Sequence, residues 1–169
     1  PIAAQFGLAL AERWDLRSEW LWSTQEKELE QTSIQFGWQG TGEAVFNLGY
    51  SYRRNRTLQN QGRDINQVDV SSYLPLTRDW RLFFRSLYSI ENKDRVNDLA
   101  GIEYNSCCWR FRLAYQRFAD QRTNTNNPDL VEYENAIYVQ FQLKGLGGIG
   151  STIADVMEEN IRGYRNSDL

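Results

Sequence analysis

Apolar residues along this chain recur at every second position rather than at every third and fourth, which is the period of a strand. Phe6, Leu8 and Leu10 alternate with Gln5, Gly7 and Ala9, and after a turn near Arg13 to Asp15 the residues Leu16, Trp20 and Trp22 alternate with Arg17, Glu19 and Ser23. Ile34, Phe36 and Trp38 lead into Gln39-Gly40-Thr41-Gly42, a tight-turn signal, and Ala44, Phe46, Leu48, Tyr50 and Tyr52 return opposite Glu43, Asn47, Ser51 and Arg53. Beyond a polar stretch from Arg54 to Ile65 come Val68, Val70 and Leu74, a turn around Pro75 to Asp79, and Trp80, Leu82, Phe84, Tyr88 and Ile90 facing away from Arg81, Arg85 and Ser89. A charged link, Glu91 to Arg95, precedes Ala100, Ile102 and Tyr104, the turn Asn105-Ser106-Cys107, and Trp109, Phe111, Leu113 and Tyr115 with Arg110, Arg112 and Gln116 opposite. A polar loop, Ala119 to Leu130, separates this from a last strand in which Ile137, Val139, Phe141 and Leu143 alternate with Tyr138, Gln140 and Gln142. The pattern predicts about nine antiparallel strands.

The links sort by position. Those near residues 14, 40, 77 and 106 are short, those near 60 and 125 are long and polar, and those near 27 and 93 are charged. Short turns at one edge and longer loops at the other are what membrane barrels show, whereas a soluble β-sandwich has no reason to sort its loops between two ends. The aromatics follow the same division. Trp14, Trp38, Trp80 and Trp109 stand beside the four short turns, and Tyr50, Tyr52, Tyr88, Tyr115 and Tyr133 stand toward the other links. Two such rows are expected as aromatic girdles at two membrane interfaces. The plainer reading, that aromatics favour strands, explains their number and not their sorting. On the opposite register Arg17, Glu19, Glu43, Arg53, Asp69, Arg81, Arg85, Glu103, Arg110 and Arg112 need water or partners. They would line a polar barrel lumen, or form the wet surface of a sandwich.

Composition fits that choice without making it: 41% hydrophobic and 14% aromatic residues sit beside a mean hydropathy of -0.64, so many rings coexist with much polarity. A formal net charge of -3, with Lys and Arg scattered, offers nucleic acid no basic surface. No stretch approaches the roughly eighteen apolar residues of a transmembrane helix. The first residues lack a charged region before an apolar one and already read as a strand, so the chain is expected to be part of something longer. The expected fold is therefore all-β: antiparallel transmembrane β-barrel strands, an incomplete part of a larger barrel, over residues 1–144. After Lys144 the period changes. Gly145 to Gly150 reads as a link, Thr152 with Asp155 as a weak capping box, and Ile153, Val156, Met157 and Ile161 as one face of a short helix. Residues 145–169 are thus expected as a separate periplasmic tail, covering the barrel mouth or an adjoining domain.

Chemistry is sparse. With no histidine, Ser–His and Cys–His nucleophile pairs cannot be built, and the carboxylates are dispersed, so no enzyme and no cofactor are expected. The two cysteines, Cys107 and Cys108, are adjacent and too few for a zinc site, so no metal is expected. On extended backbone neighbours point to opposite faces, and a bond between them would be strained. Each is expected to have a separate partner, the alternative being a pair of small apolar turn residues.

Three segments resemble one family, the lipopolysaccharide-assembly outer-membrane proteins called lipopolysaccharide transport protein D: Ala100-Gly101-Ile102-Glu103-Tyr104-Asn105-Ser106-Cys107-Cys108-Trp109, Glu134-Asn135-Ala136-Ile137, and Gln142-Leu143-Lys144-Gly145-Leu146-Gly147. The resemblance covers the C-terminal half by motif and the earlier hairpins by pattern. It implies a barrel of about twenty-six strands in the outer membrane of a Gram-negative bacterium, of which this chain supplies the last third. It implies that Cys107 and Cys108 are each oxidised to a cysteine of an N-terminal periplasmic domain. It implies lipopolysaccharide and outer-membrane lipid as partners, a plug lipoprotein in the lumen, a periplasmic bridge protein, and the barrel-assembly machinery during folding, for which a fragment would be a client. In that machinery's substrates the last strand carries an assembly signal, matched here by Tyr133, Glu134, Ala136, Val139 and Phe141, with Ala136 where glycine is usual. The same strand would form one side of a lateral seam through which the glycolipid leaves. A plain diffusion porin and a soluble sandwich binding module are the competing readings; a porin has no periplasmic domain to tether.

Overall fold

The computed structural model of the chain describes residues 1–54, 64–120, 132–144 and 152–164. It contains nine strands and one helix: β1 (Ile2–Ala11), β2 (Trp14–Ser23), β3 (Glu28–Gln39), β4 (Val45–Arg53), β5 (Ile65–Pro75), β6 (Trp80–Ser89), β7 (Asp94–Asn105), β8 (Trp109–Asp120), β9 (Glu132–Leu143) and α1 (Thr152–Asn160). The strands make a single sheet in chain order, each antiparallel to the next, so the topology is a continuous meander. β1 and β9 stand at opposite edges and do not pair with each other, and the sheet stays open as part of a barrel.

Register carries the two faces across the sheet without interruption. Phe36 pairs with Leu48, Leu48 with Val70, Phe111 with Phe141 and Leu113 with Val139 on one face; Arg81 pairs with Glu103, Glu103 with Arg112 and Arg112 with Gln140 on the other. A slip of one residue would exchange these faces, which is why the alternation is so legible. The apolar face is bare among the described residues: Phe6, Trp20, Leu48, Ile137, Val139 and Phe141 are all exposed. A soluble sandwich would cover that face with a second sheet, and the described residues contain only one. No helix among them is long and apolar enough to cross a membrane, which says nothing about strands.

The turns at residues 12–13, 40–44, 76–79 and 106–108 share one edge, as expected. At the other edge the turns Thr24–Lys27 and Ile90–Lys93 are also short. Both reuse one local device, a serine hydroxyl accepting from a backbone N–H (Ser23 from Glu26, Ser89 from Asn92) and a closing lysine with positive φ, 56° at Lys27 and 54° at Lys93. The long links expected near residues 60 and 125, and the glycine link at 145–150, lie outside the described residues, as does the side chain of Thr152 in the expected capping box.

The only apolar burial of any extent among the described residues is on the polar face. Ile153, Met157 and Ile161, spaced to lie along one side of the helical turn, and Tyr164 cover Val45, Tyr73, Phe83, Leu99 and Ala114. Gly163, with φ of 85°, turns the chain after the helix, and the Tyr164 ring reaches to 4.9 Å from that of Tyr73. The tail therefore lies on the sheet, over the half of its polar face nearest the short turns.

Candidate functional site

The polar face is built from strand positions that alternate with the bare apolar ones, so every charged side chain on it is aimed by backbone register. Arg81, Glu103, Arg112 and Gln140 form one such row across β6 to β9. Glu103, 1% exposed, accepts from Arg112 Nε at 2.6 Å and from Tyr73 Oη at 3.2 Å. Arg110 and Arg81 stand at 3.7 and 3.8 Å from it. Arg81 also donates to Glu43 at 2.9 Å. Arg112, likewise 1% exposed, donates to Gln140 Oε1 at 3.2 Å and to Tyr164 Oη at 2.9 Å. Three guanidiniums surround one carboxylate: Arg112 makes a charge-assisted hydrogen bond that burial strengthens, and Arg110 and Arg81 add ion pairs within 4 Å.

Farther from the short turns Asp69 and Arg85 form a bidentate pair, at 2.8 Å for the shortest contact, and Arg85 also bonds Asn160 at the end of α1. Beside them a half-open cleft of about 450 Å³ lies between the helix and the sheet, lined by Ser33, Gln35, Asn47, Ser71, Arg85 and Arg162. Of the charged residues expected on this face, Glu43, Arg81, Glu103, Arg110 and Arg112 come together and Asp69 meets Arg85. Arg17, itself exposed, meets half-buried Asp15 at 3.4 Å.

On the apolar face the four tryptophans next to the short turns lie on one rim in two groups. Trp14 and Trp38 are register partners with ring centroids 5.9 Å apart. Trp80 and Trp109 are joined through Tyr104, at 4.9 Å from each, and Trp109 continues to Phe141 at 5.7 Å. Sequence reading passed over Tyr104 as a member of this rim, although its alternation with Trp109 across the turn carried the signal. Tyr50, Tyr52, Tyr88, Tyr115 and Tyr133 share that face toward the opposite end. There Tyr115 donates to Asn135 at 2.7 Å, and the Arg117 guanidinium lies 3.9 Å from the Tyr133 ring centroid.

β9 carries Tyr133, Glu134, Ala136, Val139 and Phe141 at a sheet edge, paired on one side with β8 and with no strand on the other among the described residues. The register divides them: Tyr133, Val139 and Phe141 stand on the apolar face, Glu134 and Ala136 on the polar one.

The cysteines differ from expectation. Cys107 and Cys108 are not on extended backbone but form the bend between β7 and β8, so their side chains do not diverge: the sulfurs lie 2.8 Å apart and both residues are exposed. Chain reversal within three residues forces this, since both strands are held in register at Asn105 and Arg110. Lys144 Nζ donates to Ser106 O at 2.6 Å and brings a positive charge to the bend. Hydrogen bonding from Cys108, then from Ser106, and the charge of Lys144 hold the Cys107 thiol below the ordinary cysteine range, whereas the bond to Cys107 and its charge push Cys108 up. Thiolate is the reactive form. In the reduced full-length protein Cys107 is therefore expected to react with a maleimide at lower pH than Cys108. Mass mapping of partially alkylated protein checks this, and earlier labelling of Cys108 would refute it.

Among the described residues no group of histidine, cysteine, aspartate and glutamate could hold a metal ion. What the arrangement offers is a polar surface, an apolar surface, and an open edge between them.

Comparison with known proteins agrees with this two-faced sheet. The family model described as LPS transport system D matches residues 1–80. The LPS-assembly protein LptD of Alcanivorax borkumensis is 33% identical over 165 residues, covering 98% of this chain and 20% of that protein. Those of Thiobacillus denitrificans and Hahella chejuensis are 32% and 30% identical, covering 92% and 93% of this chain and 19% and 18% of theirs. The chain thus spans about a fifth of the length of these curated relatives. With the family model over the first five strands and the relatives over nearly all of the sheet, the chain belongs to the LPS transport system D family.

Proposed function

We propose that this chain supplies the last strands of an outer-membrane β-barrel that delivers lipopolysaccharide to the outer leaflet, with the polar face toward the lumen and the apolar face toward lipid. The observation that carries this reading is the two-faced sheet: large apolar side chains exposed along one face, and arginines, carboxylates and amides along the other. A glycolipid needs a polar route for its sugars and phosphates and an apolar exit for its acyl chains. A barrel wall closed by hydrogen bonds forbids that exit, and an edge strand able to part from its neighbour provides it.

β9 is then one side of a lateral seam, and its Tyr133, Glu134, Ala136, Val139 and Phe141 serve also as the signal read by the barrel-assembly machinery during folding. Trp14, Trp38, Trp80 and Trp109 form the girdle at the periplasmic interface. Cys107 and Cys108 at that rim are bonded to cysteines of an N-terminal periplasmic domain, where disulfides form and persist. A plug lipoprotein in the lumen and a periplasmic bridge protein complete the route. The chain does no catalysis in this scheme.

Cross-linking β9 to the first strand of the full-length barrel is expected to abolish the appearance of new lipopolysaccharide at the cell surface while leaving the barrel in the membrane. Surface labelling of newly made lipopolysaccharide reads the result; undiminished delivery through a cross-linked seam would remove the lateral exit from the scheme.

A further inference from the structure

The polar face carries an apolar island that the alternation does not call for. Val45, Tyr73, Phe83, Leu99 and Ala114 occupy register positions that elsewhere on that face hold serine, glutamine, asparagine or arginine; Val45, Tyr73, Phe83 and Ala114 lie at one height, with Gly101 between the last two, and Leu99 stands two residues from Gly101 along β7. In a water-filled lumen such a patch is a liability unless something covers it, and the residues that cover it come from a segment distant in the chain. Around the island the sheet offers polar side chains aimed at the same segment. Asn47 donates to Arg162 O at 2.8 Å, and Arg162 donates to Gln35 at 2.9 Å and Asp15 at 3.2 Å. Arg112 donates to Tyr164 at 2.9 Å. These bonds end-stop the helix from four strands, and they read its last residues.

We propose that the island is a binding site for an amphipathic helix, that the chain's own segment Thr152–Tyr164 is its ligand in cis, and that occupancy closes the short-turn half of the polar face to solutes. A segment this short has little helix of its own in water. It folds as it docks, held by the high effective concentration that covalent attachment supplies, so docking is reversible in a way that pairing within the sheet is not. Undocked, the segment would uncover both the island and the row of charges beneath Tyr164.

The closure rests on the lumen reading above; the binding does not. The test uses the full-length protein with a protease site inserted between Lys144 and Thr152, folded first and cut afterwards. A labelled synthetic peptide of residues 152–164 is expected to bind saturably once the cut tail has been washed away and not before. A Met157→Glu peptide is expected to bind at least about tenfold more weakly, a loss of one decade in Kd. In liposomes, release of the tail is expected to raise the flux of small sugars and added peptide to lower it again. Absence of saturable binding, equal binding of the Met157→Glu peptide, or a cut tail that leaves only when the sheet unfolds would overturn the site. Clean binding with unchanged flux would overturn the closure alone.

Discussion

Replacing Glu103 by alanine in the full-length protein is expected to lower its stability by about 3–5 kcal/mol, the usual cost of breaking a buried ion pair from one side. The magnitude follows from geometry rather than from the pair alone. Glu103 is the one carboxylate of the buried row, with Arg112 bonded to it, Arg110 and Arg81 within 4 Å, and the Tyr73 hydroxyl donating as well. Without it three guanidiniums converge on a space from which water is largely excluded. Glu103→Gln keeps an acceptor for Tyr73 and Arg112 but supplies no charge, so it is expected to fall between wild type and Glu103→Ala. Urea titrations of the detergent-solubilised protein, read by the shift between folded and unfolded mobility on gels, measure both. A loss under about 1 kcal/mol, the ordinary scale of a surface substitution, would mean that the row is wet and not a buried network.

The second large effect is expected at Gly101. A Cβ there would stand 2.5 Å from the carbonyl oxygen of Leu113 on β8 and 2.6 Å from Cε2 of Phe83 on β6. Phe83 is its register partner and is fully buried, so the ring occupies the space that the glycine leaves free. Gly101→Ala is expected to cost about 1–3 kcal/mol as overpacking, toward the upper end because one of the two obstacles is backbone. The double variant Gly101→Ala with Phe83→Leu separates them: it should recover less than half of the loss, since the smaller side chain relieves the ring and leaves the carbonyl in place. Full recovery would show that only the ring forbids a side chain at Gly101, and that β7 and β8 are free to adjust.

Both predictions concern positions that the alternation alone could not find. The period of two is a local signal that each strand repeats, so nine strands, their order and the face of nearly every apolar residue were legible from residues such as Ile34-Phe36-Trp38 and Trp109-Phe111-Leu113. Strand ends were less so: β7 begins at Asp94, because backbone pairing with β6 continues through a register shift at Val96 to charged Arg95 and Asp94, which read as link. The island was missed for a related reason. Leu82-Phe83-Phe84, Leu113-Ala114-Tyr115 and Tyr73-Leu74 are places where both faces are apolar at once, a break in the alternation that marks burial on two sides and was passed over as ordinary strand. The row around Glu103 could be listed by charge and not assembled, because convergence depends on register between strands. The cysteines show the opposite case, where a rule for extended backbone was applied to two residues that bend.

The contacts of the tail bear on how the sheet can deform. Segment 152–164 grips Asp15 on β2, Gln35 on β3, Asn47 on β4, Arg85 on β6 and Arg112 on β8, but no described hydrogen bond runs from it to β1. A rod fastened to a curved plate from β2 to β8, and packed against β9 as well, stiffens it against bending there and leaves the β1 side compliant. Strain applied to this wall, by cargo or by the bilayer, would thus be taken up on its β1 side, while the curvature of the gripped strands stays nearly constant.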